Sequence, residues 1–157
     1  MGKDLIPEHM LIALGELGVE EWRGDLHNPR ILEYHATTTL GDWARNRDET
    51  PWCSSFCQWV MAEAGIAGSG SAAARSWIRW GREVAPPELG CVVVMRRRGH
   101  KGDVRTGSSS GYHVGLFVNY SRGGLIALSG NTADRVGMDL FRSSRWRFVA
   151  FRQYVPQ

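Results

Sequence analysis

The segment that most constrains the fold of this chain is residues 51–62, which read PWCSSFCQWVMA. Proline is tolerated at the start of a helix because the first helical positions need no backbone N–H donor. The residues that follow are apolar on almost every side of the predicted helix, and Gly65 is suited to end it. Helices of this kind are normally buried. The segment therefore predicts a central helix against which the rest of the chain packs.

Cys53 falls on the first turn of this predicted helix. Unpaired backbone N–H groups and the helix dipole at that position favour a thiolate. A nucleophilic cysteine is expected at such a place, whereas a lone buried cysteine is more often a small hydrophobic residue. Cys57 and Cys91 are more simply explained by core packing. Cys53 is therefore the candidate nucleophile, and the rest of the chain should supply its base.

The length and composition of the chain indicate one domain without a membrane span. Its 157 residues are enough to bury one core, and no apolar run approaches the length of a membrane helix. The first 18 residues lack the pattern of a secretory signal. Three cysteines without disulfide spacing fit a reducing compartment. The net charge of +3 is weak support for an anionic polymer such as a cell wall, lipopolysaccharide or nucleic acid.

Helix signals fill the first half of the chain, and strand signals fill the second. We predict helices over residues 7–16, 29–35, 53–64 and 72–80, with a polar surface loop over 37–50. Strands are predicted over 91–95, 112–120 and 125–129, with weaker candidates over 136–140 and 147–155. This order predicts an α+β fold in which N-terminal helices pack on an antiparallel sheet of about five strands.

His113 begins the second predicted strand, and Asn131 follows the third. If the hairpin turn between them is centred on Arg122, His113 lies opposite Asn131; a four-residue turn would shift this pairing by one. An imidazole can take the cysteine proton, and an asparagine carbonyl can fix its tautomer. Cys53, His113 and Asn131 are therefore a chemically complete triad. The alternatives are a structural histidine and a plain turn asparagine.

Metal chemistry is poorly supported by the spacing of the candidate ligands. Cys53 and Cys57 with a histidine would lack a second pair of zinc ligands. Asp42, Asp48 and Glu49 could hold calcium, but they lack the loop pattern of a specific site. We therefore predict no metal and no other cofactor.

Five motifs occur in an order that resembles a phage-associated branch of the NlpC/P60 and CHAP-type cysteine peptidases. They are TPWCSSF at 50–56, GSAAARSW at 70–77, HVG at 113–115, SGN at 129–131, and Val136. The resemblance covers residues 28–157, which leaves 1–27 as an N-terminal helical extension of a single catalytic domain, 1–157. It implies a papain-like α+β fold and hydrolysis of amide bonds in peptidoglycan.

The resemblance also implies roles for individual residues. Cys53 corresponds to the nucleophile, with its backbone N–H in the oxyanion hole, His113 to the base and Asn131 to the polar third member. We assign three aromatic residues to substrate binding: Trp52, Trp77 and Tyr112. CHAP relatives often carry a glutamate shortly before the asparagine, where this chain has Ser129 and Gly130.

We therefore expect a monomeric peptidoglycan hydrolase, either a cysteine endopeptidase or an N-acetylmuramoyl-L-alanine amidase, that lyses the cell wall as a phage endolysin. It would be made in the host cytoplasm without a signal peptide, released by a holin-type partner, and act on the wall in the periplasm. No nucleic acid partner and no stable membrane insertion are expected. Loops 37–50 and 96–111 do not indicate which amide bond is cut.

Three alternatives stay open at this point. A secreted antibacterial amidase effector would have the same sequence features. A non-catalytic wall-binding or virion structural module could keep the fold without turnover. The same cysteine and histidine could also act on another protein or on a small amide.

Overall fold

In the computed structural model, which describes residues 5–99 and 102–156, helices precede an antiparallel sheet. The helices are α1 (Glu8–Leu14), α2 (Pro29–Ala36), α3 (Asp42–Arg45), α4 (Cys53–Glu63) and a 3₁₀ helix (Ala74–Arg79). The strands are β1 (Arg82–Glu83), β2 (Val92–Arg97), β3 (Tyr112–Ser121), β4 (Gly124–Thr132), β5 (Arg135–Arg142) and β6 (Trp146–Gln153). They form one sheet in the order β1-β6-β2-β3-β4-β5. The predicted α+β class with an antiparallel sheet is confirmed.

Helix α4 is the buried helix that the sequence predicts. Every residue from Cys53 to Met61 is buried. The ring of Phe56 meets Tyr34 of α2 edge-on, with centroids 5.4 Å apart. On the other side, a Cβ atom at Gly130 of β4 would lie 2.7 Å from the Trp52 ring, so only glycine allows this close approach. The start of α4 is therefore fixed against β4.

The strands carry a separate apolar cluster on each face of the sheet. Alternate residues of β2 and β3, such as Val94 and Val114, belong to the cluster that contains α4. The residues between them, such as Met95 and Phe117, belong to a second cluster with Phe141. Successive side chains of a strand point to opposite faces. Burial on both faces explains why residues 91–95 are continuously apolar rather than alternating.

Residues of the predicted N-terminal extension are part of the main core. Met10 and Ala13 of α1 are buried in the cluster that contains α4. The predicted loop 96–111 includes residues 100 and 101, which lie outside the described residues, as do residues 1–4 and 157. No helix among the described residues is long and apolar enough to cross a membrane.

Three local predictions differ from the structure. The sheet has six strands rather than five because the two-residue edge strand β1 pairs with β6. The predicted surface loop contains the short helix α3. Residues 74–79 form a 3₁₀ helix rather than the predicted α-helix. Trp80, which directly follows this helix in an extended conformation, packs edge-on against Trp77 with centroids 5.0 Å apart.

The hairpin between β3 and β4 determines which residues flank His113. Its turn has two residues, since Ser121 pairs with Gly124, and this differs by one from the register predicted from the sequence. A β-bulge between Phe117 and Asn119 shifts the pairing back, so that Leu116 lies opposite Leu128 as predicted. On the His113 side of the bulge, β3 and β4 therefore pair in the register predicted from the sequence.

The buried carboxylate of Asp48 joins the loop before α4 to the N-terminal segment. It accepts hydrogen bonds from the backbone N–H groups of Trp22 at 2.8 Å and Asn28 at 2.9 Å. His27 Nδ1 lies 3.1 Å from its other oxygen. Burial alone would raise the pKa of Asp48, but the hydrogen bonds from Asn28, Trp22 and His27 outweigh burial and hold it below its ordinary value of 3.8. The carboxylate therefore stabilises the fold in its charged form.

We predict that Asp48→Asn lowers the free energy of unfolding at neutral pH by about 1–3 kcal/mol, because it weakens charge-assisted hydrogen bonds at a buried site. A carboxyl group whose pKa is lower in the folded than in the unfolded protein stabilises the fold at pH values above its unfolded-state pKa. This stabilisation is lost as the pH falls through the folded-state pKa. In urea unfolding, stability should decline less steeply on acidification for Asp48→Asn than for the wild type. Asp42→Asn, in the exposed part of α3, is the matched control. An equal acid slope in the wild type and Asp48→Asn would contradict this account.

Candidate active site

Cys53 lies at the first residue of α4 and opens onto a cleft. Its side chain is 5% exposed. The cleft has a volume of about 110 Å³ and is lined by small side chains and one aromatic ring: Pro51, Cys53, Ala72, Ala73, Ala74, Ser108, Ser109, Ser110 and Tyr112. Cys57 is fully buried within α4, and Cys91 packs in the cluster on the other sheet face. Of the three thiols, that of Cys53 is placed to meet a small substrate group.

The Cys53 thiol is neutral at physiological pH in this arrangement. Burial raises its pKa above the ordinary value of 9.0, and hydrogen bonds from the backbone N–H groups of Val114, Ser54 and Cys53 itself lower it only in part. The expectation that the helix start favours a thiolate is therefore wrong for the resting protein, because desolvation outweighs the helix N–H groups. The thiol needs a base to become a nucleophile.

His113 is fully buried, and serine and threonine hydroxyls hold its imidazole. Its Nε2 lies 2.9 Å from Ser129 Oγ and 3.3 Å from Thr132 Oγ1. The ring stacks on Phe141 with centroids 5.3 Å apart. Burial lowers the pKa of His113 to about 3, so the ring is neutral at physiological pH. A neutral imidazole can accept a proton, but a pKa this far below neutral pH makes it a weak base in the resting protein.

The second ring nitrogen of His113 has no hydrogen-bond partner among the described residues. This nitrogen, Nδ1, is completely buried. Neutral imidazole has one N–H donor and one acceptor nitrogen, and a buried N–H without a partner is rarer than a buried acceptor without one. The favoured tautomer therefore has its proton on Nε2, which donates to Ser129 Oγ, and a free lone pair on Nδ1.

The side chains of Cys53 and His113 lie on opposite faces of the sheet and are not hydrogen-bonded to each other. The Val114 N–H group donates to Cys53 Sγ, and Val114 directly follows His113. The Val114 side chain packs in the core that contains Cys53, whereas the imidazole stacks on Phe141 of the second cluster. The structure therefore brings the thiol against the backbone beside the candidate base and leaves the pair without a direct hydrogen bond.

Asn131 does not hold His113, contrary to the predicted hydrogen bond. It adopts the left-handed conformation with φ of +60°, beside a register shift that precedes the tight β4–β5 turn. Its side chain instead lies against the 102–111 loop, where a Cβ at Gly107 would be 3.4 Å from Asn131 Nδ2. In the structure, the partner of His113 is Ser129, two residues earlier on β4. The catalytic role assigned to Asn131 stays a prediction.

Of the three aromatic residues predicted to bind substrate, two are buried in the core and one lines the Cys53 cleft. Trp52 is fully buried, and its indole N–H donates to Glu21 Oε1 at 2.9 Å. Trp77 is also fully buried and donates to Ser54 Oγ at 2.8 Å. Both hold the start of α4 from inside the core. Only Tyr112, which is half-buried, lines the Cys53 cleft.

Two polar residues near the site are missing from the sequence-based prediction. Ser129 lies on the same sheet face as His113, a placement that follows from its alternation with Leu128 once the register is known. Glu21 carries the hydrogen bond to Trp52, and burial raises its pKa to about 7 despite that bond. No local motif marks Glu21, because it is distant in sequence from α4.

Potential metal ligands form one group in the described part of the chain. His27, Asp48 and Glu49 have ligand atoms within 4.8 Å of one another. The Asp48 carboxylate already accepts two backbone N–H groups. This group is therefore explained by its structural hydrogen bonds.

Comparison of the chain with protein-family models gives no match, and a search of curated proteins gives none either. The resemblance to NlpC/P60 and CHAP-type peptidases therefore rests on the motifs alone.

We predict that iodoacetamide modifies Cys53 before Cys57 and Cys91 in the folded protein, because Cys53 lines a cleft and the other two cysteines pack in apolar clusters. The rate should be slow at neutral pH and rise roughly tenfold per pH unit below the thiol pKa, since the thiolate is the reactive form. Peptide mass spectrometry gives the rate for each cysteine, and the urea-unfolded protein, in which all three should react alike, is the control. A Cys53 rate already maximal at neutral pH would contradict the neutral thiol.

Proposed function

We propose that this protein hydrolyses amide bonds of peptidoglycan, with Cys53 as the nucleophile and His113 as the base. The observation that carries the proposal is the position of the Cys53 thiol. It begins a buried helix, opens onto a cleft, and contacts the N–H group of the residue that follows His113. The ordered motifs of the NlpC/P60 and CHAP-type peptidases support the same assignment and a papain-like form of the α+β fold.

The first chemical step starts from a neutral thiol and a neutral imidazole. His113 Nδ1 accepts the thiol proton as Cys53 Sγ attacks the carbonyl carbon of the amide. The hydroxyl oxygens of Ser129 and Thr132 can accept the Nε2–H of the imidazolium that forms, and they offset part of the cost of charging a buried ring, which the lowered pKa of His113 reflects. The Cys53 backbone N–H at the start of α4 is suited to stabilise the oxyanion. In the structure the imidazole lies on the sheet face opposite α4, so this step requires a rearrangement at the start of β3 that brings Nδ1 within hydrogen-bond distance of Sγ.

The remaining steps return the enzyme to its starting state. The imidazolium gives its proton to the leaving amine, the C–N bond breaks, and a thioester to Cys53 remains. Water then attacks the thioester carbonyl while His113 takes one of its protons. The products are a carboxylic acid and the regenerated thiol, so atoms and charge balance.

The shape of the cleft supports a peptide substrate. Its lining includes three consecutive alanines, residues 72–74, and three consecutive serines, residues 108–110. These small side chains leave a narrow opening, which an extended peptide with small side chains would fit. The stem peptides of peptidoglycan contain alanine, so they meet this requirement. A phage endolysin, released to the wall by a holin-type partner, is the setting that we propose.

A second candidate is a wall-binding module without turnover. It is favoured by two observations: the missing hydrogen bond between Cys53 and His113, and the raised pKa of the Cys53 thiol. Both describe a pair that is not activated in the resting protein. Digestion of sacculi separates the two candidates.

We predict that purified sacculi release soluble fragments with the wild-type protein and with Cys57→Ala, but not with Cys53→Ala. Removing the nucleophile should lower the rate by at least about a thousandfold. Cys57 is one turn further along α4 and serves as the matched control. Masses of the fragments show whether the cut lies within the stem peptide or at the lactyl amide. Equal cutting by Cys53→Ala would exclude Cys53 as the nucleophile, and binding of sacculi without release by any protein would favour the wall-binding module.

A further inference from the structure

Two arginines and a tyrosine form a row across three neighbouring strands. Arg96 of β2 lies opposite Arg147 of β6 on one side and opposite Tyr112 of β3 on the other. Arg96 is two residues beyond Val94, so the row continues the sheet face that packs on α4. The Arg96 guanidinium carbon lies 5.0 Å from the centroid of the Tyr112 ring. Because Tyr112 also lines the Cys53 cleft, the row is contiguous with the candidate active site.

The positive charge of this row is not neutralised within the described part of the chain. Arg97 pairs with Asp103 at 3.2 Å, whereas Arg96 and Arg147 have no acidic partner among the described residues. Like charges placed directly opposite each other on two strands are destabilising. Arg96 Nε is also buried and has no hydrogen-bond partner among those residues. A buried donor of this kind costs free energy unless something accepts its hydrogen bond.

The arginines surround a pocket of about 210 Å³. Its lining consists of Arg96, Arg97, Arg98, Gly99 and Arg147. Guanidinium groups present paired N–H donors that match the two oxygens of a carboxylate. An oxyanion in the pocket would neutralise the opposed charges of Arg96 and Arg147.

We propose that this arginine pocket binds a free carboxylate of the substrate while the scissile amide lies at Cys53. This inference rests on the proposed function and adds the substrate class: a peptide that carries a free carboxylate beside the bond to be cut. Tyr112 connects the two sites, since its ring contacts Arg96 and lines the cleft. The stem peptides of peptidoglycan carry such carboxylates. A phosphate group has similar oxyanion chemistry and is distinguished by the test.

The test measures binding by calorimetry to full-length Cys53→Ala, so that it does not depend on turnover. The probes are the stem tetrapeptide L-Ala-γ-D-Glu-L-Lys-D-Ala with free carboxylates, the same peptide with both carboxylates amidated, and inorganic phosphate. The free-carboxylate peptide should bind roughly tenfold more tightly than the amidated one, as expected for one charge-assisted hydrogen-bonded pair. Adding Arg96→Gln should remove this difference. Arg122→Gln, in the exposed β3–β4 turn, should keep it.

Each result separates this inference from the proposed function. Equal affinity for the two peptides would overturn the carboxylate site even if the wild type digests sacculi. If phosphate binds in an Arg96-dependent way but the two peptides bind equally, the carboxylate site would be overturned in favour of a site for a phosphate-bearing polymer. Arg96-dependent discrimination would support the site even if no hydrolysis is found. Arg96→Lys keeps the positive charge but not the paired N–H donors. Thermal unfolding of each variant shows that a lost difference in affinity between the two peptides does not reflect misfolding.

Discussion

Helix α4 is buried from Cys53 to Met61 because apolar side chains cover it on every side. The helices α1 and α2 and one face of the sheet enclose it, and the Trp52 ring packs directly on Gly130 of β4. The same burial determines the chemistry at its first residue. It raises the pKa of the Cys53 thiol, so that the resting thiol is neutral and depends on an external base.

The elements of the fold were largely predictable, because their signals are local. Pro51 and Gly65 bracket α4, and the continuous apolar run of β2 indicates a strand buried on both faces. The two-residue strand β1 and the short helix α3 were not predictable, since each is stabilised by distant contacts rather than by its own sequence. The 3₁₀ helix depends on the packing of Trp77 against Trp80, which no periodicity reveals.

The site was predictable in part. Cys53 and His113 are singled out by their positions at a helix start and a strand start, and the fold brings the thiol to the backbone beside His113. Ser129 as the partner of His113 depends on a β-bulge and on the left-handed conformation of Asn131, both of which arise from sheet pairing. Trp52 is predicted to bind substrate, but its ring is buried in the core and its N–H donates to Glu21, a residue with no sequence signal. Arg96 lies in a run of arginines that resembles a solvated loop until the pairing with Arg147 and Tyr112 is known.

The central claim is that burial keeps His113 neutral, with its proton on Nε2 directed to Ser129 and Nδ1 unprotonated. Nitrogen NMR of the ¹⁵N-labelled imidazole tests this directly, with the His113 signals assigned by their loss in His113→Gln. The account predicts a proton on Nε2, an unprotonated Nδ1, and a ring that stays neutral far below the ordinary histidine pKa of 6.5, because burial lowers the pKa to about 3. A proton on Nδ1 at neutral pH, or a His113 titration near 6.5, would contradict it.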